Sequence, residues 1–302
     1  MSAVVIRKLG LGTVQFGLSY GVTNERGRVS EPEVERIVAA ALDAGIALFD
    51  TAPAYGDSEI ILGRLLERQP DARIVSKLPP AEGERIDEAE IGRWRSAVER
   101  SLARLRRGSL DALLLHRPDD LRKPGAERLA AFLAELRRAG VVGKVGVSAY
   151  SRAQLDLAQA TMPLDVVQVP VNLMDQRLLQ DGTLARLRRR QVEIHARSAF
   201  LQGALLAEPA SLPGHFAPHF DRLRAVGAVA ERGGLSRLTL CLRFVLEQPE
   251  VDSVIVGVTS AAELRQIIAG AADARPLPEE LAALAGDDPT LLDPSLWPAS
   301  RG

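Results

Sequence analysis

Eight short apolar runs, each followed by a stretch with helical spacing, constrain this chain more than any other feature. The runs lie at residues 9–16, 46–49, 73–76, 110–115, 144–147, 164–169, 192–196 and 253–256. Such runs read as strands buried on both faces, and amphipathic segments between them read as crossover helices, so the strands lie parallel. The helical stripes are explicit: Val34, Ile37, Val38, Ala41 and Leu42 stop at Gly45, and Leu129, Phe132, Leu133 and Leu136 stop at Gly140. Ser30 with Glu33, Ser151 with Gln154 and Ser260 with Glu263 have the spacing of capping boxes. Eight strand and helix units favour a closed (β/α)8 barrel, one domain over residues 1–302, over an open doubly wound sheet. The glycine fingerprint of the open sheet is also missing, because Gly10 and Gly12 are followed by Gln15 and lie within a strand. From Pro276 the chain carries Pro278, Pro289, Pro294 and Pro298, a Pro-rich C-terminal tail expected to lie over one face of the barrel.

Composition narrows the partners. With a formal net charge of -1 and basic residues scattered among acidic ones, the chain lacks the concentrated basic patch of a nucleic-acid surface. No apolar stretch is long enough to span a bilayer, and the segment before Leu11, interrupted by Arg7 and Lys8, does not resemble a secretory signal. The single cysteine, Cys241, sits in an apolar run and reads as a buried thiol, which suits a reducing compartment. The expectation is a cytoplasmic protein that binds neither nucleic acid nor membrane.

In a barrel of this kind the chemistry gathers at the carboxyl ends of the strands. The first polar residues past each run are Asp50 with Tyr55 beyond it, Lys77, His116, Ser148, Gln168 with Asn172, and Arg197 with Ser198. An aspartate, a tyrosine, a lysine and a histidine converging on one rim suggest proton donation to a carbonyl. A neighbouring ammonium is expected to lower the pKa of a phenol, Lys77 is the available cation, and Asp50 is placed to hold it. A phenol so tuned can protonate a carbonyl oxygen as charge develops there, with a neutral His116 orienting that oxygen. No side chain supplies a hydride, so a reduced cofactor must. Ser148 and Gln168 are candidates for a nicotinamide carboxamide, and Arg197 beside Ser198 for stacking on the ring. Gly257, Thr259 and Ser260 open a helix whose backbone donors suit a phosphate. His215 and His219 have a spacing that would suit zinc on a helix, but Pro218 interrupts it, so no metal site is expected.

Several of these blocks resemble the aldo-keto reductase family. Asp50-Thr51-Ala52 through Tyr55-Gly56 to Glu59 and Leu62-Gly63 is similar to its first signature, and Ser76-Lys77-Leu78, Leu114-Leu115-His116-Arg117-Pro118, Gly146-Val147-Ser148 and Val167 through Leu173 are similar to its later ones, in order. The resemblance spans nearly the whole chain. It implies a (β/α)8 barrel, a nicotinamide cofactor, a tetrad of Asp50, Tyr55, Lys77 and His116, and a small carbonyl compound as substrate. NADP is the default cofactor it implies and NAD the alternative. This chain departs from the family at Ala149, where an asparagine is frequent, at Arg197, where a stacking tyrosine is common, and after Gly257, where Glu263 and Arg265 precede Gln266 and Ile267. A carboxylate at 263 would repel a 2′-phosphate, and Arg265 would compensate.

Family pockets are shaped by loops after the fourth and seventh strands and by the tail. Here residues 117–123 are few, which suggests an open mouth for a polar aldehyde or a sugar-like substrate. Residues 197–203 resemble bacterial members associated with carbohydrate metabolism. Two other readings compete with the reductase: a cofactor-sensing regulatory protein on the same barrel with little turnover, and a Schiff-base enzyme using Lys77. The second is disfavoured because a lysine paired with Asp50 stays protonated.

Overall fold

Because successive side chains of a strand point to opposite faces, each apolar run in a barrel must supply one row to the interior and one to the surrounding helices. The computed structural model, which describes residues 5–298, shows this division. Strands β1 (Leu9–Gly12), β2 (Leu48–Asp50), β3 (Arg73–Leu78), β4 (Leu110–Leu115), β5 (Val142–Ser148), β6 (Val166–Pro170), β7 (Glu193–Arg197) and β8 (Ser253–Gly257) pair in parallel and in sequence order. β8 closes on β1 from Leu9 opposite Val254 to Gly12 opposite Gly257. This is the (β/α)8 barrel expected from the alternating pattern. Among the described residues no helix is long and apolar enough to cross a membrane.

Leu48, Val75, Ala112, Leu114, Val166 and Ile255 form a buried cluster of their own, apart from the larger shell between strands and helices. Size alternation fills this interior: a Cβ on Gly10 would stand 2.6 Å from Ile255 Cδ1 and 3.0 Å from Leu48 Cδ2. Two residues further along, the interior rows of β2, β3, β5 and β6 end in Asp50, Lys77, Ser148 and Gln168. The same alternation that packs the barrel therefore aims polar side chains at its carboxyl end.

The opposite end is closed by charge. Arg73 donates to Asp111 at 3.0 and 3.2 Å and to Glu193 at 2.8 Å, while Lys144 Nζ lies 2.5 Å from the other Glu193 oxygen. His195, fully buried on β7, contacts Glu193 through Nε2 at 2.8 Å. Burial opposes the Glu193 charge, but His195, Lys144 and Arg73 together hold its carboxyl well below the usual range.

The structure corrects several local expectations. The first strand ends at Gly12, not at residue 16, because Thr13 turns the chain to donate to the Asp50 carbonyl through both its N–H (3.0 Å) and its hydroxyl (2.8 Å). A helical turn, Val14–Gly17, follows and buries Phe16. The single helix expected over 178–190 is two, Arg177–Gln180 and Thr183–Arg189, separated by Gly182 at φ +72 and by Asp181 accepting from the Thr183 N–H. Ser30 does not form its capping box, and Glu33 instead reaches across the fold to the Ala261 N–H at 2.7 Å. The other two boxes form with a shift: Ser151 and Ser260 accept as expected, but Gln154 and Glu263 reach back one residue further, to the N–H groups of Tyr150 and Thr259. The tail packs through buried Leu281, Leu291 and Leu292, and Trp297 meets Phe216 edge-on at 5.0 Å.

Candidate active site

The turn after β2 is fixed before it presents anything to solvent. Ser58 Oγ donates to Thr13 Oγ1 at 2.7 Å and lies 3.1 Å from Thr51 Oγ1, so three buried hydroxyls tie β1, β2 and the helix Ser58–Leu66 together. Glu59, fully buried, accepts from Ser76 Oγ at 2.9 Å next to Lys77. Two glycines let the backbone pass close enough to aim Tyr55. A Cβ on Gly17 would fall 1.8 Å from the Tyr55 carbonyl oxygen, and Gly56, at φ +55, would place one 2.7 Å from the Gly17 oxygen. Gly17→Ala is expected to displace the Tyr55 turn and to lower kcat on the order of 100-fold; steady-state kinetics on protein with an unchanged circular-dichroism spectrum checks this.

At the carboxyl end Lys77 Nζ donates to both oxygens of Asp50 at 2.8 Å and to the Thr51 carbonyl at 3.0 Å. Asp50 Oδ1 also accepts from Gln168 Nε2 at 2.7 Å, and Ser148 Oγ lies 3.4 Å from Gln168 Oε1. The Lys77 ammonium stands 4.9 Å from the centroid of the Tyr55 ring, and that ring meets His116 edge-on at 6.2 Å. The four groups expected to converge are thus in one cluster.

Their acid–base properties differ from the expectation in one respect. Burial outweighs the neighbouring ammonium at Tyr55, so its phenol is pushed up rather than down, with Lys77 only partly offsetting the desolvation. At Lys77 burial disfavours the charge, but the Asp50 carboxylate and then Tyr55 outweigh it and hold the ammonium above its ordinary range. His116 is pushed down to about 4, first by burial and then by Lys77, so it is neutral at neutral pH.

A cavity of about 850 Å³ opens over this cluster. Of the residues expected to bind cofactor, Ser148, Gln168, Arg197, Ser198, Gly257 and Thr259 line it; Ser260 and Arg265 do not, and Arg265 is exposed. Arg197 lies 4.0 Å above the Tyr150 ring, a residue two positions past the end of β5 that sequence reasoning passed over. Tyr20, in the loop after β1, also faces the cavity, so all 3 tyrosines of the chain do. The walls come chiefly from the segments after β1, β7 and β8; neither 117–123 nor any described residue beyond Ile267 lines the cavity. The loop after β7 carries left-handed Ser198, Leu201 and Gln202, and Asn172 Nδ2 holds the Ser198 carbonyl at 3.1 Å.

The residues present suit a dinucleotide. Gln15 is buried against Gly257, where any Cβ would collide with its amide at 2.6 Å, and its Oε1 has no partner within the protein. A buried acceptor left without a partner calls for one that the protein itself does not supply. Two of the backbone donors around Ser260 expected to take a phosphate have partners within the protein: Glu263 accepts from the Thr259 N–H and hydroxyl, both at 2.7 Å, and Glu33 from the Ala261 N–H.

Comparison with known proteins gives a consistent result. The sequence profile described as the Aldo/keto reductase family matches residues 8–284. The aldo-keto reductase YhdN of Bacillus subtilis is 27% identical, the match covering 86% of this chain and 83% of that protein. A 6-dehydroglucose reductase of Novosphingobium aromaticivorans is 28% identical over 80% and 81%. Among solved structures, the glycerol dehydrogenase of Gluconobacter oxydans superposes with a TM-score of 0.71 at 28% identity, covering 92% of this chain and 90% of that one. The holo form of an aldo-keto reductase of Bacillus halodurans, at 22% identity, shares the fold with a TM-score of 0.72 over 92% and 90%.

Proposed function

The chain belongs to the aldo/keto reductase family and is an oxidoreductase of that family, and on that premise we propose that it reduces an aldehyde or ketone to an alcohol with Tyr55 as proton donor. The observation that carries this reading is the Lys77–Asp50 pair, buried beneath a tyrosine and beside a neutral histidine in the lining of a cavity of about 850 Å³. A nicotinamide dinucleotide bound in this cavity supplies the hydride. Tyr55 keeps its proton in the resting state because burial raises its phenol. As negative charge grows on a substrate oxygen the proton leaves the phenol, and the Lys77 ammonium stabilises the tyrosinate formed. Asp50 keeps Lys77 charged and in place, and Gln168 fixes Asp50 from the other side. A neutral His116 donates a hydrogen bond to the same substrate oxygen. Ser148 and the stacked guanidinium of Arg197 offer the carboxamide and ring contacts.

The 6-dehydroglucose reductase and glycerol dehydrogenase among the relatives act on polyhydroxylated compounds, by their names. With the polar groups of Asn24 and Gln202 on the cavity wall, they support a small polar carbonyl compound as substrate. The test is consumption of NADH or NADPH by purified protein across a panel of aldehydes, hydroxyaldehydes and ketones. Tight dinucleotide binding without turnover on any of them would reject the reading.

The acidity of His116 gives a second check. Its folded value near 4 lies below the ordinary 6.5, so the unfolded chain takes up a proton between these limits that the folded chain does not. Stability is expected to fall as pH drops from 6.5 towards 4, and the pH–rate profile to lack a limb near 6.5. Urea melts and kcat measured over this range read both effects.

A further inference from the structure

Most charged groups of the cavity wall have a partner or face water. Asp50 is held by Lys77 and Gln168, and Glu263 accepts from the Thr259 N–H and hydroxyl. Glu25 and Arg26 are exposed. Arg197 is the exception. Half-buried at the end of β7, it forms no ion pair among the described residues, and its side chain makes one hydrogen bond there, from Nη1 to Ser198 Oγ at 3.3 Å.

This cation stands where the chemistry is. Arg197 lies opposite Pro170 in the sheet, two residues beyond the pairing of His195 with Gln168, the residue that holds Asp50. Burial, then Lys77, has the largest influence on the pKa of Tyr55 and of His116, but the Arg197 charge reaches both, and Tyr20 as well. Lys77 has its charge cancelled by Asp50 at 2.8 Å, whereas no carboxylate does this for Arg197.

Tyr150 orients the guanidinium without neutralising it. Its ring lies 4.0 Å from the guanidinium carbon and covers one face, and the nicotinamide contact proposed above uses the other. Neither contact engages the edge, where the N–H donors lie, and Ser198 takes only one of them. A flat fork of donors suits two oxygens of one carboxylate or phosphate. An arginine does not shed its proton to escape a missing counter-charge, so apart from water the ligand is the remaining source of one.

We propose that Arg197 binds an anionic group of the substrate, so that the carbonyl compound reduced here carries a carboxylate or a phosphate a few bonds from its carbonyl. This rests on the hydride-transfer reading of the cavity and narrows its substrate class from polar to negatively charged.

The test is kcat/KM of purified protein, at saturating dinucleotide, on two matched pairs: glyoxylate against glycolaldehyde for a carboxylate, and glyceraldehyde 3-phosphate against glyceraldehyde for a phosphate. At least one anionic member is expected to exceed its neutral partner by ~10-fold or more, and the pair that does so identifies the group. Arg197→Gln is expected to bring that ratio to within about threefold of unity, and Arg197→Lys to retain part of it, because the charge remains without the fork. The ratio is the readout because any weakening of the cofactor in these variants lowers both members alike. Neutral members turned over as well as the anionic ones, or all four refused by protein that reduces other uncharged aldehydes, would overturn the inference and leave carbonyl reduction intact. A preference for the anion that survives Arg197→Gln would place its recognition on another residue. Lost dinucleotide affinity with an unchanged ratio would give Arg197 to a cofactor phosphate and overturn the inference too. Absence of turnover on every carbonyl compound would end both readings.

Discussion

Tyr55→Phe is expected to lower kcat for carbonyl reduction by about 10²- to 10⁴-fold, the range a positioned general acid supplies. The substitution removes one hydroxyl and leaves the ring that meets His116 edge-on and overlies Lys77, so the cavity keeps its shape. Dinucleotide affinity should therefore change by no more than about twofold, because the lost group acts on a charge that exists only in the transition state. The raised pKa of the phenol is compatible with this role. A donor must hold its proton until the substrate oxygen becomes basic, and burial provides that, while Lys77 lowers the cost of the tyrosinate once formed. Single-turnover and steady-state rates, with calorimetric binding of the dinucleotide to both proteins, measure the two effects separately. Equal rates would remove Tyr55 from the chemistry.

How far the sequence discloses this arrangement depends on whether the information is local. Strand positions are legible because a strand in a closed barrel is apolar on both faces, so runs such as 110–115 stand out with no partner known. The polar residue ending each interior row is legible for the same reason: alternation places Asp50, Lys77, Ser148 and Gln168 on one face with Leu48, Val75, Gly146 and Val166. Tyr150 and Tyr20 lie past their strand ends, where period-2 alternation has stopped, and only the scarcity of tyrosine in the chain hints at them. Gln15 reads in the sequence merely as a missing third glycine; its place beside Gly257, far along the chain, shows only in the fold. Glu33 shows the same limit, since a capping-box spacing gives no sign that its carboxylate is drawn to Ala261, 228 residues away. The sign of the Tyr55 shift was inaccessible as well. It is decided by burial against one ammonium, and spacing reveals the ammonium but not the burial.

Asp50→Ala is expected to be the most destabilising single change in the site. Lys77 and Asp50 side chains are 1% and 6% exposed, so removing the carboxylate leaves an ammonium in the barrel interior with no counter-charge, only the Thr51 carbonyl and the neutral Tyr55 side chain beside it. Breaking a buried pair in this way costs about 3–5 kcal/mol, chiefly the desolvation of the charge left behind. The pH dependence has a definite sign. The folded Lys77 value lies above the ordinary 10.5, so the pair contributes its full stability below 10.5 and loses it as pH rises through the folded value. In Asp50→Ala the unpaired amine instead sheds its proton easily, and the gap between the two proteins should narrow as the solution becomes alkaline. Urea midpoints of both proteins from neutral to alkaline pH measure this. The double variant Asp50→Asn with Lys77→Met separates charge from packing: with neither ion present it should regain most of the lost stability while remaining without activity. A single variant as stable as the unmodified protein would mean that Lys77 finds another partner, and the pair beneath Tyr55 could then no longer be what keeps that lysine charged.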